Sequence, residues 1–383
     1  MIRLLVTAVV GVLVVTWLYR RLVRLPGVRG RWAVAALAAL VALTACAVGA
    51  FQVGGALDPA WARPIGVIGF TWGAVVYYLF LGTVAIALVR LALRLIARLR
   101  GRDGGPHFGA RPTAIATAAV VVAAVGAVGY GLVEASSPRI VAERVSIADL
   151  PAPFDGLRVA LVTDVHAGPA RGADFVRKVV EQVNAQRPDV VLLGGDLTDG
   201  TVAHVGPDLL PLRDLRAPLG VFAVSGNHEY YVDDGGSWLD HWETLGVRTL
   251  RNERVELRRD GAVIDLAGVY DKTAPDPYRP DYAAALAGRD DGRPVILLAH
   301  QPSQAVPAAR YGVDLQLSGH THDGQMWPNT YLVALSEPVT AGWGRVDGTD
   351  VYVTRGAGAW GPPVRVLAPP EITVLTLRGS ARA

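Results

Sequence analysis

The sequence predicts an α/β domain preceded by four transmembrane helices, and three observations lead to this prediction. First, the 383 residues are 51% hydrophobic and only 19% charged, with a mean hydropathy of +0.31, which is unusual for a soluble protein and excludes a disordered one. Second, residues 1–133 hold 13 basic and 2 acidic residues, whereas residues 134–383 hold 24 basic and 32 acidic residues. Third, apolar runs of strand length alternate with a helical pattern in the second half.

Four stretches of the first half are apolar and long enough to cross about 30 Å of hydrocarbon, which requires roughly 20 helical residues. These stretches are residues 2–19, 32–52, 65–89 and 113–133. The loops 20–31 and 90–111 are rich in arginine, whereas the loop 53–64 contains only Arg63. Arginine-rich loops face the cytoplasm. The sequence therefore predicts a multi-pass protein of the cell membrane whose C-terminal domain is extracytoplasmic.

Several other interpretations of this composition are weaker. A cleaved signal peptide over residues 1–25 lacks a small-x-small cleavage site, and a transporter lacks its usual marker because no apolar stretch contains Asp, Glu or Lys. The basic residues flank apolar segments, so they orient helices in a lipid bilayer, and nucleic acid is not a predicted partner. Cys46 is the single cysteine, which excludes a disulfide within one chain. The sequence indicates no oligomeric state.

The second half divides into a linker and one large domain. Residues 134–153 are interpreted as the linker, and residues 154–383 are long enough to bury a core of their own. Apolar runs predict strands, and one segment has apolar residues at helical spacing. The predicted strands are 158–163, 190–193, 220–225, 254–257, 262–268, 294–299, 313–317, 350–354 and 371–377, and the predicted helix is 172–186.

Polar residues of metal-binding types follow five of the predicted core strands. In chain order these are Asp164 and His166, Asp196 and Asp199, Asn227 and His228, His300, and His320 and His322. Because ligands bind at the carboxyl ends of strands in open α/β sheets, we expect these side chains to converge. Each motif alone has an ordinary explanation, such as a turn or a helix N-cap. Their conjunction in five successive loops predicts a metal site.

The donor types restrict the metal. Carboxylate, imidazole and amide oxygen without thiolate suit Mn²⁺, Zn²⁺ or Fe rather than a structural zinc site. Of these, Mn²⁺ is the expected cofactor, and Zn²⁺ or Fe is the alternative. Seven of these nine residues are the candidate ligands, namely Asp164, His166, Asp196, Asn227, His300, His320 and His322. Seven ligands are too many for one ion, whereas two divalent ions about 3.5–4 Å apart would use all of them. Such a pair activates water and clamps the oxygens of a displacement at phosphorus.

The five motifs resemble the calcineurin-like metallophosphoesterase superfamily, and within it the bacterial membrane-anchored branch. The resemblance extends over roughly residues 154–378 and includes the stretch from Arg355 to Ile372. It implies a four-layer αββα sandwich.

The resemblance also implies a role for each ligand. Asp164, His166, Asp196 and His322 would hold one ion, and Asp196, Asn227, His300 and His320 the other. Asp196 would bridge the two, and a hydroxide between the ions would attack phosphorus. His228 would protonate the leaving oxygen, with Asp199 keeping it oriented and charged.

Two departures from the family pattern bear on the substrate. Protein phosphatases of this superfamily carry Asp-Arg-Gly where this chain has Asp199-Gly200, so a phosphate-gripping arginine is missing and protein phosphatase activity is disfavoured. Asp323 stands where related membrane-anchored members usually have Gly, and its charge would either strengthen cation binding or repel a doubly charged monoester.

These observations predict a dinuclear phosphohydrolase that cleaves a phosphodiester or pyrophosphate bond of a lipid-linked or envelope metabolite. The alternatives are a phosphomonoesterase and a non-catalytic, metal-stabilised sensor or binding protein. A sensor has no need of His228 or Asp199.

The sequence offers two alternative roles for each of two further sets of residues. Glu229, Tyr230 and Tyr231 either line the substrate entrance or close the loop, and Arg355 and Arg365 either meet substrate phosphate or form surface salt bridges.

Overall fold

The computed structural model describes residues 2–25, 27–101 and 110–380. The chain divides into two compact units. The first comprises Met1–Gly54 and Pro64–Leu132, and the second comprises Gly55–Arg63 and Val133–Ala383. The short segment Gly55–Arg63 therefore belongs to the same unit as the C-terminal domain, although apolar helices flank it in the sequence.

The apolar half of the chain is helical. Its helices are α1 (Ile2–Leu18, continued by a π-helical turn over Tyr19–Arg24), α2 (Gly30–Val53), α3 (Pro59–Leu99) and α4 (Ala110–Glu134). In the described part of the chain, these four helices are long and apolar enough to cross a membrane, as the sequence predicts. Val12, Val34 and Val122 are exposed over 65%, 69% and 72% of their surface. Such outward-facing apolar side chains suit hydrocarbon rather than water.

Helix α3 is longer at both ends than the predicted stretch 65–89. Pro59 occupies its first position and the Asp58 side chain accepts a hydrogen bond from the Ala60 amide at 2.8 Å, which is a typical helix start. At the other end the helix continues through Arg90, where the sequence predicts a loop. Arginine is a good helix former, so the spacing of these arginines among leucines prolongs the helix. Residues 102–109 of that predicted loop lie outside the described residues.

The described residues of the second unit form two six-stranded sheets with flanking helices. The strands are β1 (Arg139–Ala148), β2 (Arg158–Val162), β3 (Val190–Leu193), β4 (Val221–Ala223), β5 (Arg248–Thr249), β6 (Glu253–Arg259), β7 (Ala262–Gly268), β8 (Val295–Leu298), β9 (Leu315–Ser318), β10 (Gly342–Val346), β11 (Thr349–Val353) and β12 (Glu371–Ser380). The helices are α5 (Ala173–Ala185), α6 (Val202–Val205), α7 (Gly235–Thr244), α8 (Tyr282–Ala285), α9 (Ala305–Ala308) and α10 (Thr330–Val333).

Both sheets are mixed, with a parallel centre. The first sheet has the order β1-β12-β2-β3-β4-β5, and β2 to β5 run parallel. The second has the order β10-β11-β9-β8-β7-β6, in which β7, β8, β9 and β11 are parallel and β6 pairs with β7 as the predicted hairpin. The parallel strands of each sheet end at a common edge. The candidate ligands lie in the loops that follow the strands at this edge.

The two sheets pack face to face, with helices on their outer faces. Leu161 and Leu192 of the first sheet share a buried cluster with Leu266 and Ile296 of the second. Their sequence neighbours point outward, where α5 and α7 cover the first sheet and α8 and α9 cover the second. This alternation is expected of strands buried on both faces. The predicted four-layer αββα sandwich is confirmed.

One strand lies within the segment that the sequence analysis interprets as a linker. β1 pairs in parallel with β12 along its whole length, with Ile140 opposite Ile372. It is an edge strand whose residues are mostly exposed or half-buried, so its sequence lacks a continuous apolar run. Because it lacks such a run, the sequence of a half-exposed edge strand resembles that of a polar linker.

Candidate metal centre

The candidate ligands converge at the carboxyl ends of β2, β3, β4, β8 and β9. Among the described residues, three overlapping groups have ligand atoms within 4.8 Å of one another. The groups are Asp164, His166 and His322; His166, Asp196 and His228; and Asp196, His300 and His320. Asn227 lines the same cavity as Asp196 and His320. The structure thus brings together all of the residues that the sequence analysis names as candidate ligands.

We refer to Asp164, His166 and His322 as the first position, and to Asn227, His300 and His320 as the second position. In the first, His322 Nε2 lies 3.2 Å from Asp164 Oδ1 and 3.0 Å from His166 Nε2.

Asp196 lies between the two positions. Its Oδ2 is 3.1 Å from His300 Nε2 and 3.9 Å from His166 Nε2. Its Oδ1 accepts a hydrogen bond from the His228 backbone amide at 2.8 Å. One oxygen is therefore held by backbone while the other faces both positions, which is the geometry a bridging carboxylate needs.

The protein orients the ligands of the first position. The His320 backbone amide donates to Asp164 Oδ2 at 3.1 Å, and the Thr163 hydroxyl also donates to it. His166 Nδ1 lies 2.8 Å from Asp199 Oδ1. Because this carboxylate accepts the Nδ1 proton, the lone pair of His166 is on Nε2 and faces the other ligands.

The second position contains a buried polar atom that lacks a partner. His300 Nδ1 donates to the Gly194 carbonyl at 2.8 Å, and its Nε2 faces Asp196 Oδ2 at 3.1 Å. Asn227 Nδ2 donates to the Tyr231 hydroxyl at 2.8 Å, which points the amide oxygen the other way. Within the described residues, the buried Asn227 Oδ1 has no hydrogen-bond partner. An unpaired amide oxygen that lines the same cavity as Asp196 and His320 fits a bound cation.

The carboxylates of the centre remain charged despite their burial. Burial by itself raises the pKa of Asp164 and Asp196, but nearby histidines outweigh it. For Asp164 the opposing effect comes first from His322, and for Asp196 first from His300. Both pKa values therefore lie well below that of an ordinary aspartate, as suits anionic metal ligands.

His228 has a different environment from the candidate ligands. Burial lowers its pKa, but Asp196 and Asp199 outweigh burial and raise that pKa to about 9. Its Nδ1 lies 2.6 Å from Asp199 Oδ1, and its Nε2 lies 3.9 Å from Asp196 Oδ2. Asp199 thus orients both His166 and His228. A histidine held in this way can carry a proton at Nε2 beside the centre.

Glu229 closes the loop and does not line the entrance. It is fully buried, and its carboxylate accepts hydrogen bonds from the backbone amides of Gly226 at 2.7 Å, Leu197 at 2.9 Å and Asp196 at 3.1 Å. Burial, and then Asp196, raise its pKa to about 8. One side chain therefore ties the loop after β3 to the loop after β4. Two of its three donors, on Asp196 and Leu197, lie 33 and 32 residues away in the sequence, so the local pattern does not distinguish this role from lining the entrance.

Two glycines permit the close approach of these loops. A Cβ at Gly226 would collide with the Asp196 carboxylate, and a Cβ at Gly319 would collide with the Asp164 carboxylate. The glycines of the Gly-Asn-His and Gly-His-Thr-His motifs are therefore required by contact with a candidate ligand from another loop.

The structure shows the surroundings of Arg355, Arg365 and Asp323. Arg365 is fully buried, with Nη1 donating to the His322 carbonyl at 2.8 Å and Nη2 lying 2.8 Å from His322 Nδ1. Arg355 pairs with Asp323 at 3.0 Å and Glu371 at 2.8 Å. Arg365 therefore supports the first position from behind, and the charge of Asp323 is balanced by Arg355.

The comparisons with known proteins agree with this geometry. Residues 157–324 match the family model described as calcineurin-like phosphoesterase. A zebrafish (Danio rerio) transmembrane protein with metallophosphoesterase domain is 36% identical over 334 residues, which cover 84% of this chain and 75% of that protein. An uncharacterized metallophosphoesterase of Helicobacter pylori is 44% identical over 58% of this chain and 60% of its own length. Another from Bacillus subtilis is 32% identical over 66% of this chain and 91% of its own.

Relatives therefore occur in animals as well as in bacteria, and one of them is named as a transmembrane protein. The fold, the clustered His and Asp residues and these similarities lead to one conclusion. The chain belongs to the calcineurin-like metallophosphoesterase family and is a metal-dependent phosphoesterase of a membrane.

Proposed function

We propose that this protein hydrolyses a phosphodiester or pyrophosphate bond of a lipid-linked or envelope metabolite outside the cytoplasm. The observation that carries the proposal is the cavity above the centre, which has a polar floor and an apolar wall. Its volume is about 450 Å³. Asp196, His228 and His322 contribute to the floor, and Leu332 and Trp360 contribute to the wall.

The apolar wall supports a substrate with an apolar part. Leu332 and Trp360 are 65% and 50% exposed, and the Tyr231 ring lies with its centroid 4.6 Å from that of His228. Apolar surface of this kind, continuous with the floor, can cover an acyl or isoprenoid chain next to the scissile bond. A purely polar metabolite would leave this surface in water.

The charge of the cavity supports a diester or pyrophosphate over a monoester. None of the described residues that line it is Lys or Arg, and the nearby Arg355 is already paired with Asp323 and Glu371. A dianionic monoester gains most from additional cations, whereas a monoanionic diester needs fewer.

The residues of the centre would have the following roles. Divalent ions held by the two positions would activate water and clamp phosphoryl oxygens. Asp196 would orient both sets of ligands. His228 would hold a proton at Nε2 and give it to the leaving oxygen, and Asp199 would keep the imidazole oriented and charged. Carboxylate, imidazole and amide donors without thiolate are compatible with Mn²⁺, which we propose as the metal, and Zn²⁺ or Fe is the alternative.

A leaving-group comparison tests the reaction. The full-length protein, purified in detergent with Mn²⁺, is assayed on bis(p-nitrophenyl) phosphate, on diphenyl phosphate and on p-nitrophenyl phosphate. We expect faster cleavage of the diesters than of the monoester. His228→Ala should lower turnover on diphenyl phosphate about 10²–10⁴-fold, because departure of its leaving group depends more strongly on protonation. The same variant should lower turnover on the nitrophenyl diester less.

His204→Ala is the matched control, because His204 is exposed and lies outside the centre. A preference of the wild type for the monoester, or an equal loss of His228→Ala on both diesters, would contradict the proposal.

Labelling in intact cells tests the extracytoplasmic location, which rests on the arginine-rich loops. The Asp174 side chain is 98% exposed, and Cys46 is the single native cysteine. In a Cys46→Ala background, Asp174→Cys should react with a membrane-impermeant maleimide in intact cells. Reaction only after the cells are permeabilised would place the domain in the cytoplasm.

A further inference from the structure

The segment Gly55–Arg63 joins α2 to α3, yet it belongs to the same compact unit as the phosphoesterase domain. A connection between two membrane helices needs only to be polar and long enough to turn the chain. This segment instead makes specific contacts with two loops of the metal centre.

The first contact is made by the Arg63 side chain. Its Nη2 lies 2.5 Å from Asp208 Oδ2, and its Nε donates to the Gly168 carbonyl at 3.2 Å. The other Asp208 oxygen accepts from the Ala173 amide at 3.0 Å, at the start of α5. Arg63 therefore fixes both ends of the short segment 168–173, which begins two residues after His166.

The second contact is made by backbone at Gly55. A Cβ at Gly55 would lie 2.9 Å from the Asp199 carbonyl oxygen and 3.0 Å from a methyl group of Val232. A Cβ at Gly200 would lie 3.0 Å from the Gly55 carbonyl oxygen. The backbone of Gly55 thus packs directly on the Asp199-Gly200 loop.

Both contacts involve loops that hold the Asp199 carboxylate in place. Asp199 Oδ1 lies 2.8 Å from His166 Nδ1 and 2.6 Å from His228 Nδ1. Gly168 also approaches Asp199, since a Cβ at Gly168 would lie 2.9 Å from the Asp199 carbonyl oxygen. A shift of either loop would therefore turn the imidazole of His228 relative to the centre.

We propose that Gly55–Arg63 is a positioning segment of the phosphoesterase, which holds Asp199 and through it the orientation of His228. The inference rests on the proposed role of His228 as proton donor. The connection between α2 and α3 is then part of the enzyme.

Two measurements on the full-length protein in detergent test this proposal. The first is hydrogen exchange over residues 168–173, which requires no activity. The second is the ratio of turnover on diphenyl phosphate to turnover on bis(p-nitrophenyl) phosphate. We expect Arg63→Ala to speed exchange in this segment, because the Ala173 amide is bonded to the Asp208 carboxylate that Arg63 holds.

The same variant should lower turnover on diphenyl phosphate about tenfold, and it should lower turnover on bis(p-nitrophenyl) phosphate less. A variant that only folds less well would lose both activities equally. Gly55→Ala should produce the same change in ratio, since its methyl group displaces the Asp199 loop.

Arg63→Lys keeps the charge next to Asp208 and should restore most of the ratio. Arg94→Ala is the control, because Arg94 is an exposed arginine of the same helix. A ratio that matches wild type in both Arg63→Ala and Gly55→Ala would overturn the proposal, whether or not exchange over residues 168–173 is faster. If the wild type hydrolyses neither diester, the proposed function fails, and faster exchange in Arg63→Ala alone would still support a positioning contact.

Discussion

The two halves of the metal centre differ in what satisfies their ligand atoms. In the first position, Asp164 accepts hydrogen bonds from backbone and hydroxyl, His166 is bonded to Asp199, and His322 contacts Arg365. In the second position, hydrogen bonds to the Gly194 carbonyl and the Tyr231 hydroxyl also orient His300 and Asn227, but within the described residues Asn227 Oδ1 has no partner. The protein therefore satisfies the ligand atoms of the first position, whereas a cation would satisfy the amide oxygen of the second.

This difference indicates how one fold prepares two neighbouring cation positions. Hydrogen bonds behind a ligand, such as the one from His166 Nδ1 to Asp199 Oδ1, fix its direction before any ion binds. Buried lone pairs without a partner do the opposite, because they destabilise the empty state and so favour binding. Three changes test whether the comparison holds, beginning with the residue that both positions share.

Asp196→Asn should have the largest effect, because it removes the carboxylate that faces both positions. We expect turnover to fall about 10³-fold or more, since ion stabilisation at phosphorus amounts to several kcal/mol. Elemental analysis of the purified protein should show fewer than two bound ions. Asp174→Asn, at an exposed aspartate that pairs with Arg177, should behave as wild type. Wild-type turnover in Asp196→Asn would contradict the shared-ligand interpretation.

Arg365→Lys should weaken the first position alone. Lysine cannot donate to the His322 carbonyl and reach His322 Nδ1 together, as the guanidinium does. We expect one of two ions to bind about 10–100-fold more weakly. Calorimetric titration with Mn²⁺ measures this, and Arg310→Lys, at an exposed arginine, is the control. Equal weakening of both ions would mean that the positions are not independently organised.

Chelation should destabilise the protein through the second position. Each unpaired buried acceptor costs about 1–3 kcal/mol, so the Mn²⁺-free protein should unfold at a lower temperature than the loaded one. Asn227→Ala removes the unpaired acceptor of the second position. The temperature difference between loaded and chelated protein should therefore be smaller in Asn227→Ala than in wild type. An unchanged difference would show that Asn227 is not a ligand.

Much of the fold follows from local sequence. The predicted core strands after residue 154 all occur, because strands buried on both faces are continuous apolar runs. The sequence pattern does not predict three of the strands, namely β1, β5 and β10. β1 and β10 are edge strands with many exposed residues and β5 has two residues, so none of them carries a strong apolar pattern.

The candidate ligands were also predictable, whereas their supports were not. Asp164, His166 and the others follow predicted strands, and the common edge of parallel strands brings them together. Arg365 and Glu229 are different, since each acts on loops far away in the sequence. A local pattern contains no signal of such partners. The catalytic and metal-binding roles themselves stay predictions that the variants above test.

The sequence by itself determined four apolar spans, an α/β domain and a set of carboxylate, amide and imidazole groups after successive strands. Apolar length, strand periodicity and residue type are local properties, so local sequence is enough to predict them. Only the tertiary structure decided that Arg365 is buried, that Arg355 balances Asp323 and that Gly55–Arg63 packs on the phosphoesterase loops. It also decided that Asp164, His166, Asp196, His320 and His322 adopt positive φ angles of 50–71°. Non-glycine residues adopt such angles only where surrounding contacts hold them, and those contacts come from distant parts of the chain.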